Sequence, residues 1–198
     1  MKEIVVLNGI HGSGKSTLGE IMLNCGYLYF PEIGREVRRK VQYTVFEQIE
    51  DFDKEVMRQE LNRDSIILGS NGRIAIETWH PGNIAYAMIR NLQVAKEYKH
   101  QFANSLKFFE PTFITLDISR QTFIDRASEN TGDKNMEDLW QFYQEIRRNT
   151  FQIYQEFDLN YHVIDANKEL DEVAREANIA LKEQGFFDFE IERKSKEY

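Results

Sequence analysis

Cysteine, proline, basic charge and long apolar runs are all scarce in this chain, and each scarcity removes a class of protein. The one cysteine, Cys25, has no partner for an internal disulfide, so the expected compartment is the reducing cytoplasm. Three prolines exclude a collagen-like or proline-rich chain. No apolar run approaches the roughly 18 to 20 residues that span a bilayer, so no membrane partner is expected. The short apolar stretch Ile4 to Leu7 leads straight into a glycine loop, which marks a strand of the folded protein rather than the core of a secretory signal. His11 and His80 have no Cys or His companion at ligand spacing, which argues against zinc. With 33 acidic against 25 basic side chains, the net charge is −8. That balance argues against a long nucleic-acid surface, which needs clustered Lys and Arg, but it leaves room for a small phosphate pocket.

What is present is enough for a globular core: hydrophobic residues make up 41% of 198, near the norm for folded domains. No repeat, low-complexity tract or Gly/Ser/Pro-rich linker interrupts the chain. One domain is expected over residues 1–185, with a tail at 186–198 whose alternating aromatics suit either a frayed end or an edge strand. Short β-type runs alternate with longer helical patterns. Strands are expected at 3–8, 27–30, 73–77, 112–117 and 161–165. Helical stretches are expected from about Lys15, over 45–68 (Val45, Ile49, Phe52, Val56), after Pro81-Gly82, over 137–157 (Leu139, Phe142, Tyr143, Ile146, Ile153, Phe157) and along Leu170, Val173, Ala174 and Ala177. Alternation of this kind implies crossover connections and a parallel sheet with helices on both faces.

The sharpest motif is Gly9-Ile10-His11-Gly12-Ser13-Gly14-Lys15-Ser16-Thr17, which satisfies G-x-x-x-x-G-K-S/T between a strand and a helix. Glycines let the backbone curl so that successive N–H groups form an anion nest at a helix N-terminus. Gly9, His11, Gly12, Ser13, Gly14, Lys15, Ser16 and Thr17 are therefore the expected nucleotide-binding residues. Lys15 would reach the outer phosphates and the Ser16 hydroxyl would hold Mg²⁺. A guanine-reading switch is disfavoured, because Asn167-Lys168-Glu169-Leu170 has leucine where the base-reading carboxylate would stand.

Carboxylates follow two of the strands. Glu32 lies just past the second, in Phe30-Pro31-Glu32-Ile33-Gly34-Arg35, where the carboxyl ends of parallel strands open onto a ligand crevice. It suits either a general base or an acid in the first turn of the next helix. Arg35 lies one helical turn further on and is a candidate for substrate contact, whereas Arg38, Arg39 and Lys40 suit a solvated helix face. Glu77 closes Ile74-Ala75-Ile76-Glu77 and Asp117 closes Ile114-Thr115-Leu116-Asp117. Either could sit near a metal, and Asp117 is expected to cap a helix starting near Ser119. Trp79, Tyr86 and Phe46 could form a shelf for a base, or simply core.

Taken in order, the glycine loop, Pro31-Glu32 with Arg35, Glu77 in ETWHPGNIAYA, Leu116-Asp117 with Arg126, and Ile164-Asp165-Ala166 resemble the nucleoside and nucleotide kinases of the P-loop kinase group. Thymidylate kinase-like and deoxynucleoside kinase-like members are the nearest in pattern. The PEIGRE segment and the run Gln59-Glu60-Leu61-Asn62-Arg63-Asp64 also resemble the small ATPase family that contains ribosylnicotinamide kinase. The resemblance implies a three-layer α/β fold with a five-stranded parallel sheet and a short lid at about 126–148. It implies Mg²⁺-dependent transfer of the ATP γ-phosphoryl group to a small nucleoside or nucleotide acceptor, with ATP and Mg²⁺ as cofactors; a homodimer is left open. By the same resemblance the third strand flanks the first, which makes Glu77 the metal-side acid with Ser16. Glu32 is then the base, Glu32, Arg35, Glu77 and Trp79 contact substrate, and Lys15, Arg126 and Arg147 supply catalytic charge. Two departures stand out. Thr78 occupies the place where relatives carry an acceptor-gripping Arg, which passes that task to Arg35 or Arg73. The lid is not arginine-rich, so transition-state charge falls to one or two of Arg126, Lys134, Arg147 and Arg148. A nucleotide-dependent regulatory ATPase, or a kinase of a non-nucleotide small molecule, are the alternatives.

Overall fold

The computed structural model describes residues 1–41, 50–127 and 136–186. Five strands form one parallel sheet: β1 (Lys2–Gly9), β2 (Leu28–Phe30), β3 (Ile74–Glu77), β4 (Phe109–Asp117) and β5 (Asn160–Asp165). Between and after them run α1 (Lys15–Asn24), α2 (Ile33–Val41), α3 (Glu50–Gly69), α4 (His80–Arg90), α5 (Leu92–Ser105), α6 (Arg120–Ala127), α7 (Met136–Glu156) and α8 (Leu170–Glu183). The order across the sheet is β2-β3-β1-β4-β5. β1 is central, so Ile4, Val5, Val6 and Leu7 are wholly buried, and its continuous apolar run follows from having both faces covered.

The register decides what meets at the carboxyl ends. Leu7 pairs with Glu77 on one side, and Gly9 pairs with Leu116 on the other. The glycine loop therefore leaves β1 between the ends of β3 and β4. Asp117 lies opposite Asp165, and Phe30 opposite Ile76, so the chain after β2 and the chain after β3 emerge side by side.

Helix α1 packs on β1, β2 and β3, α8 packs on β5, and α4 lies between α5 and α7. Trp79, Phe102 and Phe113, all fully buried, anchor the core beneath α4 and α5, each contributing about 1.5–3 kcal/mol of burial. A smaller cluster joins Ile33 and Val37 of α2 to Phe52 and Val56 of α3. Val45, Ile49 and Phe46 fall outside the described residues. The stretch after Pro81 is two helices rather than one. Asn91 leaves helical geometry and its side chain accepts from the N–H groups of Gln93 (3.0 Å) and Val94 (3.2 Å), which caps α5. Along α7 the expected residues Leu139, Tyr143, Ile146 and Ile153 are buried. Leu170, expected on the buried side of α8, is 42% exposed and borders a cleft instead. Gly185, at φ 83°, ends α8, and the rest of the tail beyond Phe186 lies outside the described residues. Among the described residues, no helix is long and apolar enough to cross a membrane.

Candidate active site

The loop between β1 and α1 is built on positive-φ glycines: Gly9 at 138°, Gly12 at 78° and Gly14 at 98°. A Cβ on Gly9 would come within 2.4 Å of the Leu116 carbonyl oxygen and 2.6 Å of Ser13 Oγ, so the loop can pass between β1 and β4 only on glycine. Ser13 Oγ is buried without a hydrogen-bond partner. Lys15 is 7% exposed and its ammonium donates to the carbonyls of Gly9 (2.9 Å) and Ile10 (3.1 Å). Burial holds its pKa below the ordinary lysine value, against the opposing pull of Glu32 and Glu77. A buried, under-solvated ammonium beside a cradle of N–H groups is a site that gains from an anion. The cleft over this loop, about 650 Å³, is lined by Gly12 to Thr17, Glu77, Arg126, Lys168, Leu170 and neighbouring residues, a size suited to a nucleotide.

At the start of α1 the Ser16 hydroxyl donates to Glu77 Oε1 at 2.9 Å. Arg35 Nη2 reaches both atoms, at 3.1 Å to Ser16 Oγ and 2.9 Å to Glu77 Oε1, and Tyr29 donates to Glu77 Oε2 at 2.5 Å. Glu77 is wholly buried. Burial alone would raise its pKa, but Lys15, Tyr29, Arg35 and Ser16 together hold it below the usual glutamate value. Two hard oxygen donors already gathered around one cationic group fit a divalent ion, with the guanidinium as its stand-in. Among the described residues no group of three or more His, Cys, Asp or Glu could hold a metal. A Mg²⁺ here would therefore depend on phosphate oxygens for its remaining ligands, as this ion usually does.

A second, narrower cavity of about 30 Å³ shares His11, Lys15 and Leu116 with the cleft. Glu32, Arg38, Tyr86, Asp117, Tyr143 and Arg147 are among its walls. Each guanidinium there is matched to a carboxylate: Arg38 to Glu32 at 3.3 Å and Arg147 to Asp117 at 2.6 Å. Arg35 approaches Glu32 as well, at 3.6 Å. His11 stacks on Tyr143 with ring centroids 6.1 Å apart, and its pKa is lowered by burial and then by Lys15. Burial pushes the Tyr143 phenol up to about 12.

Several expectations change. Trp79 is wholly buried. Its indole donates to Asp64 at 2.9 Å, and its ring packs on Phe102, Phe109 and Phe113, so it belongs to the core and lines neither cavity. Tyr86 does line the second cavity. Arg73 donates to the Cys25 carbonyl and lies over the Tyr27 ring, at the amino end of β3 and away from the site. Asp117 caps no helix: it takes Arg147, while Ser119 Oγ accepts the Thr122 N–H at the start of α6. Arg38, read as solvated, turns inward because α2 presents it, one turn after Arg35, to the same cavity as Glu32. Arg147 faces that cavity, whereas its neighbour Arg148 is exposed. Arg126, at the end of α6, donates to the carbonyls of Gly12 (3.1 Å) and Ala166 (3.0 Å), so it stands on the cleft beside the loop, not between the two cavities. Of the expected lid, residues 128–135, including Lys134, lie outside the described residues, and 136–148 form the first half of α7. Lys168 pairs with Glu176, and Asn167 ties down the Ser119 N–H.

Sequence reasoning missed the polar support of the site. Asn8 donates to Tyr154 at 2.8 Å and orients its carbonyl oxygen at the Gly9 N–H. Glu60, Arg63 and Asn83 form a buried network behind β3. The sequence carried little signal for that network: Glu60, Arg63 and Asp64 sit three and four residues apart on a helix charged along most of its length, so nothing in the pattern marked these three as the buried ones.

No protein-family model matches the chain. By sequence it is 24% identical over 156 residues to the bifunctional shikimate kinase/3-dehydroquinate synthase of Thermotoga maritima, covering 73% of this chain but 28% of that protein's length. By structure it is similar to deoxyadenosine kinase from M. mycoides, with a TM-score of 0.68 and 18% identity over 94% of this chain and 100% of that one. It is also similar to NadR protein solved in complex with NR, with a TM-score of 0.72 and 15% identity over 96% of this chain and 54% of that one. The loop, the sheet order and these likenesses agree on one architecture: the chain has the fold of the P-loop nucleoside and small-molecule kinases.

Proposed function

We propose that the chain is an ATP- and Mg²⁺-dependent phosphotransferase that moves the γ-phosphoryl group to a hydroxyl of a small nucleoside-like acceptor. The observation that carries this reading is the junction of two cavities at Lys15 and His11. A triphosphate laid along the loop would end where the second cavity begins, and that cavity, about 30 Å³ as it stands, must widen to admit an acceptor. The fold likeness to deoxyadenosine kinase and the sequence likeness to a protein with a shikimate kinase part support hydroxyl phosphorylation. Pairing of Arg38 and Arg147 with Glu32 and Asp117 favours a neutral acceptor over a phosphomonoester, because the cations that would bind a phosphate dianion are already neutralised.

In the reaction so read, Lys15 and the loop N–H groups hold the β- and γ-phosphates in line with the acceptor. Glu32 accepts the hydroxyl proton as the new O–P bond forms, the bond from the γ-phosphorus to the bridging oxygen breaks, and ADP departs. Ser16 and Glu77 would hold the Mg²⁺, which supplies charge neutralisation to the phosphates. Arg35 must leave the two oxygens it now bridges, and it is then free to turn toward Glu32 and the acceptor. Arg147, across the cavity, faces the transferring group. Transfer of label from γ-labelled ATP, tested over nucleosides, deoxynucleosides and small hydroxy acids, checks the reading. One acceptor should become labelled with the wild type and none with Lys15→Ala. Labelling that survives Lys15→Ala would discard the site assignment, and hydrolysis indifferent to every acceptor would favour a regulatory ATPase.

A further inference from the structure

We infer that Arg63 of α3 is a positioning residue that sets the spacing of Glu32 and Glu77, an inference that rests on the roles proposed above for those two carboxylates. Arg63 lines neither cavity. Its Nη1 donates to the carbonyl of Pro31 at 2.9 Å and its Nη2 to the carbonyl of Thr78 at 3.0 Å. Pro31 immediately precedes Glu32 and Thr78 immediately follows Glu77, so one planar guanidinium grips both loops from behind. From the front the same two carboxylates are approached by Arg35, at 3.6 Å and 2.9 Å. Front and back clamps meet at strand ends that emerge side by side.

The rear clamp is itself fixed. Glu60, wholly buried, accepts from Arg63 Nη2 at 2.5 Å and from Asn83 Nδ2 at 2.7 Å. Asp64, the next residue of α3, accepts from the indole of Trp79 and bonds to His80 at 2.8 Å. Helix α3 thus holds Thr78, Trp79 and His80 in succession. Two features show geometry being kept at the expense of stability. Thr78 has φ 48°, a left-handed conformation that a β-branched residue adopts only under constraint. Arg63 Nε is buried without a hydrogen-bond partner. A lysine could not replace this fork, because a single ammonium lacks the planar spread that spans both carbonyls.

Arg63→Lys is the test, measured alongside wild type by steady-state kinetics and by calorimetric titration of ATP at rising Mg²⁺. Displacing supports behind reacting groups commonly costs one to two orders of magnitude, so kcat should fall about 10- to 100-fold with acceptor KM nearly unchanged. The Mg²⁺ concentration that half-saturates the enhancement of ATP binding should rise about 10-fold, while ATP affinity in EDTA stays the same. A folded variant with wild-type kcat and wild-type Mg²⁺ requirement, altered only in melting temperature, overturns the inference. If the wild type transfers phosphate to no acceptor, the functional reading fails, but the Mg²⁺ titration still decides the Glu77 half of the clamp. Should Arg63→Lys not fold, Asn83→Ala, which loosens Glu60, carries the same two readouts with smaller shifts, and their absence overturns the inference equally.

Discussion

Arg147 and Arg148 are consecutive residues of one helix with opposite surroundings, and the difference follows from their angular position on α7. Ile146 and Thr150, one turn apart, are buried on one face; Arg147 flanks that face and is turned to the cavity and to Asp117, while Arg148 lies about opposite it and points to water. Both members of the Arg147–Asp117 pair are about a third exposed, which limits its value to stability. On the proposed function its worth is to the reaction. Arg147→Met should lower transfer about 100-fold, as loss of one transition-state donor does, with little change in unfolding; Arg148→Met should leave transfer within about twofold. Equal effects of the two, measured as kcat/KM, would remove Arg147 from the site. The sequence reading named Arg147 among Arg126, Lys134, Arg147 and Arg148 but could not show its partner, because Asp117 reaches it only through the packing of α7 against the end of β4.

At the scale of elements, α1 and β2 meet at a glycine that the motif does not mention. A Cβ on Gly19 would lie 2.2 Å from the ring of Tyr29, so the helix surface there must be bare for Tyr29 to lie against it and reach Glu77. Gly19→Ala should destabilise the fold by about 1–3 kcal/mol through overpacking, despite alanine's better helix propensity, and denaturant unfolding checks this. A stabilised variant would show that Tyr29 is not held there. Elements with strict patterns were legible from the residues: β1 as an unbroken apolar run, the glycine loop by its spacing, and α7 by its buried stripe. The break between α4 and α5 was not, because it depends on one Asn91 side chain turning back to cap two N–H groups. Trp79 misled for a related reason. Strict alternation would put it, two residues after Glu77, on the same face as that acid, yet Thr78 at φ 48° breaks the extended backbone and Trp79 turns into the core, where Asp64 takes its N–H.

For the whole molecule, the net charge of −8 conceals a local arrangement of opposite sign. Lys15, Arg35, Arg38, Arg126 and Arg147 all gather at the carboxyl ends of the strands, where β1, β3 and β4 bring the glycine loop, Glu77 and Asp117 together. The strand order is what converts separate motifs into one site. Resemblance anticipated that order, but not the matching of each cavity guanidinium with a carboxylate, which arises from helices α2 and α7 approaching from opposite sides. The central claim, that this junction phosphorylates a hydroxyl with Glu32 as the base, is most directly tested by single-turnover transfer from ATP with wild type and Glu32→Gln at saturating acceptor. The account predicts a transfer rate about 10²- to 10⁴-fold lower in Glu32→Gln with acceptor affinity nearly unchanged. An equal rate in the two proteins would contradict it.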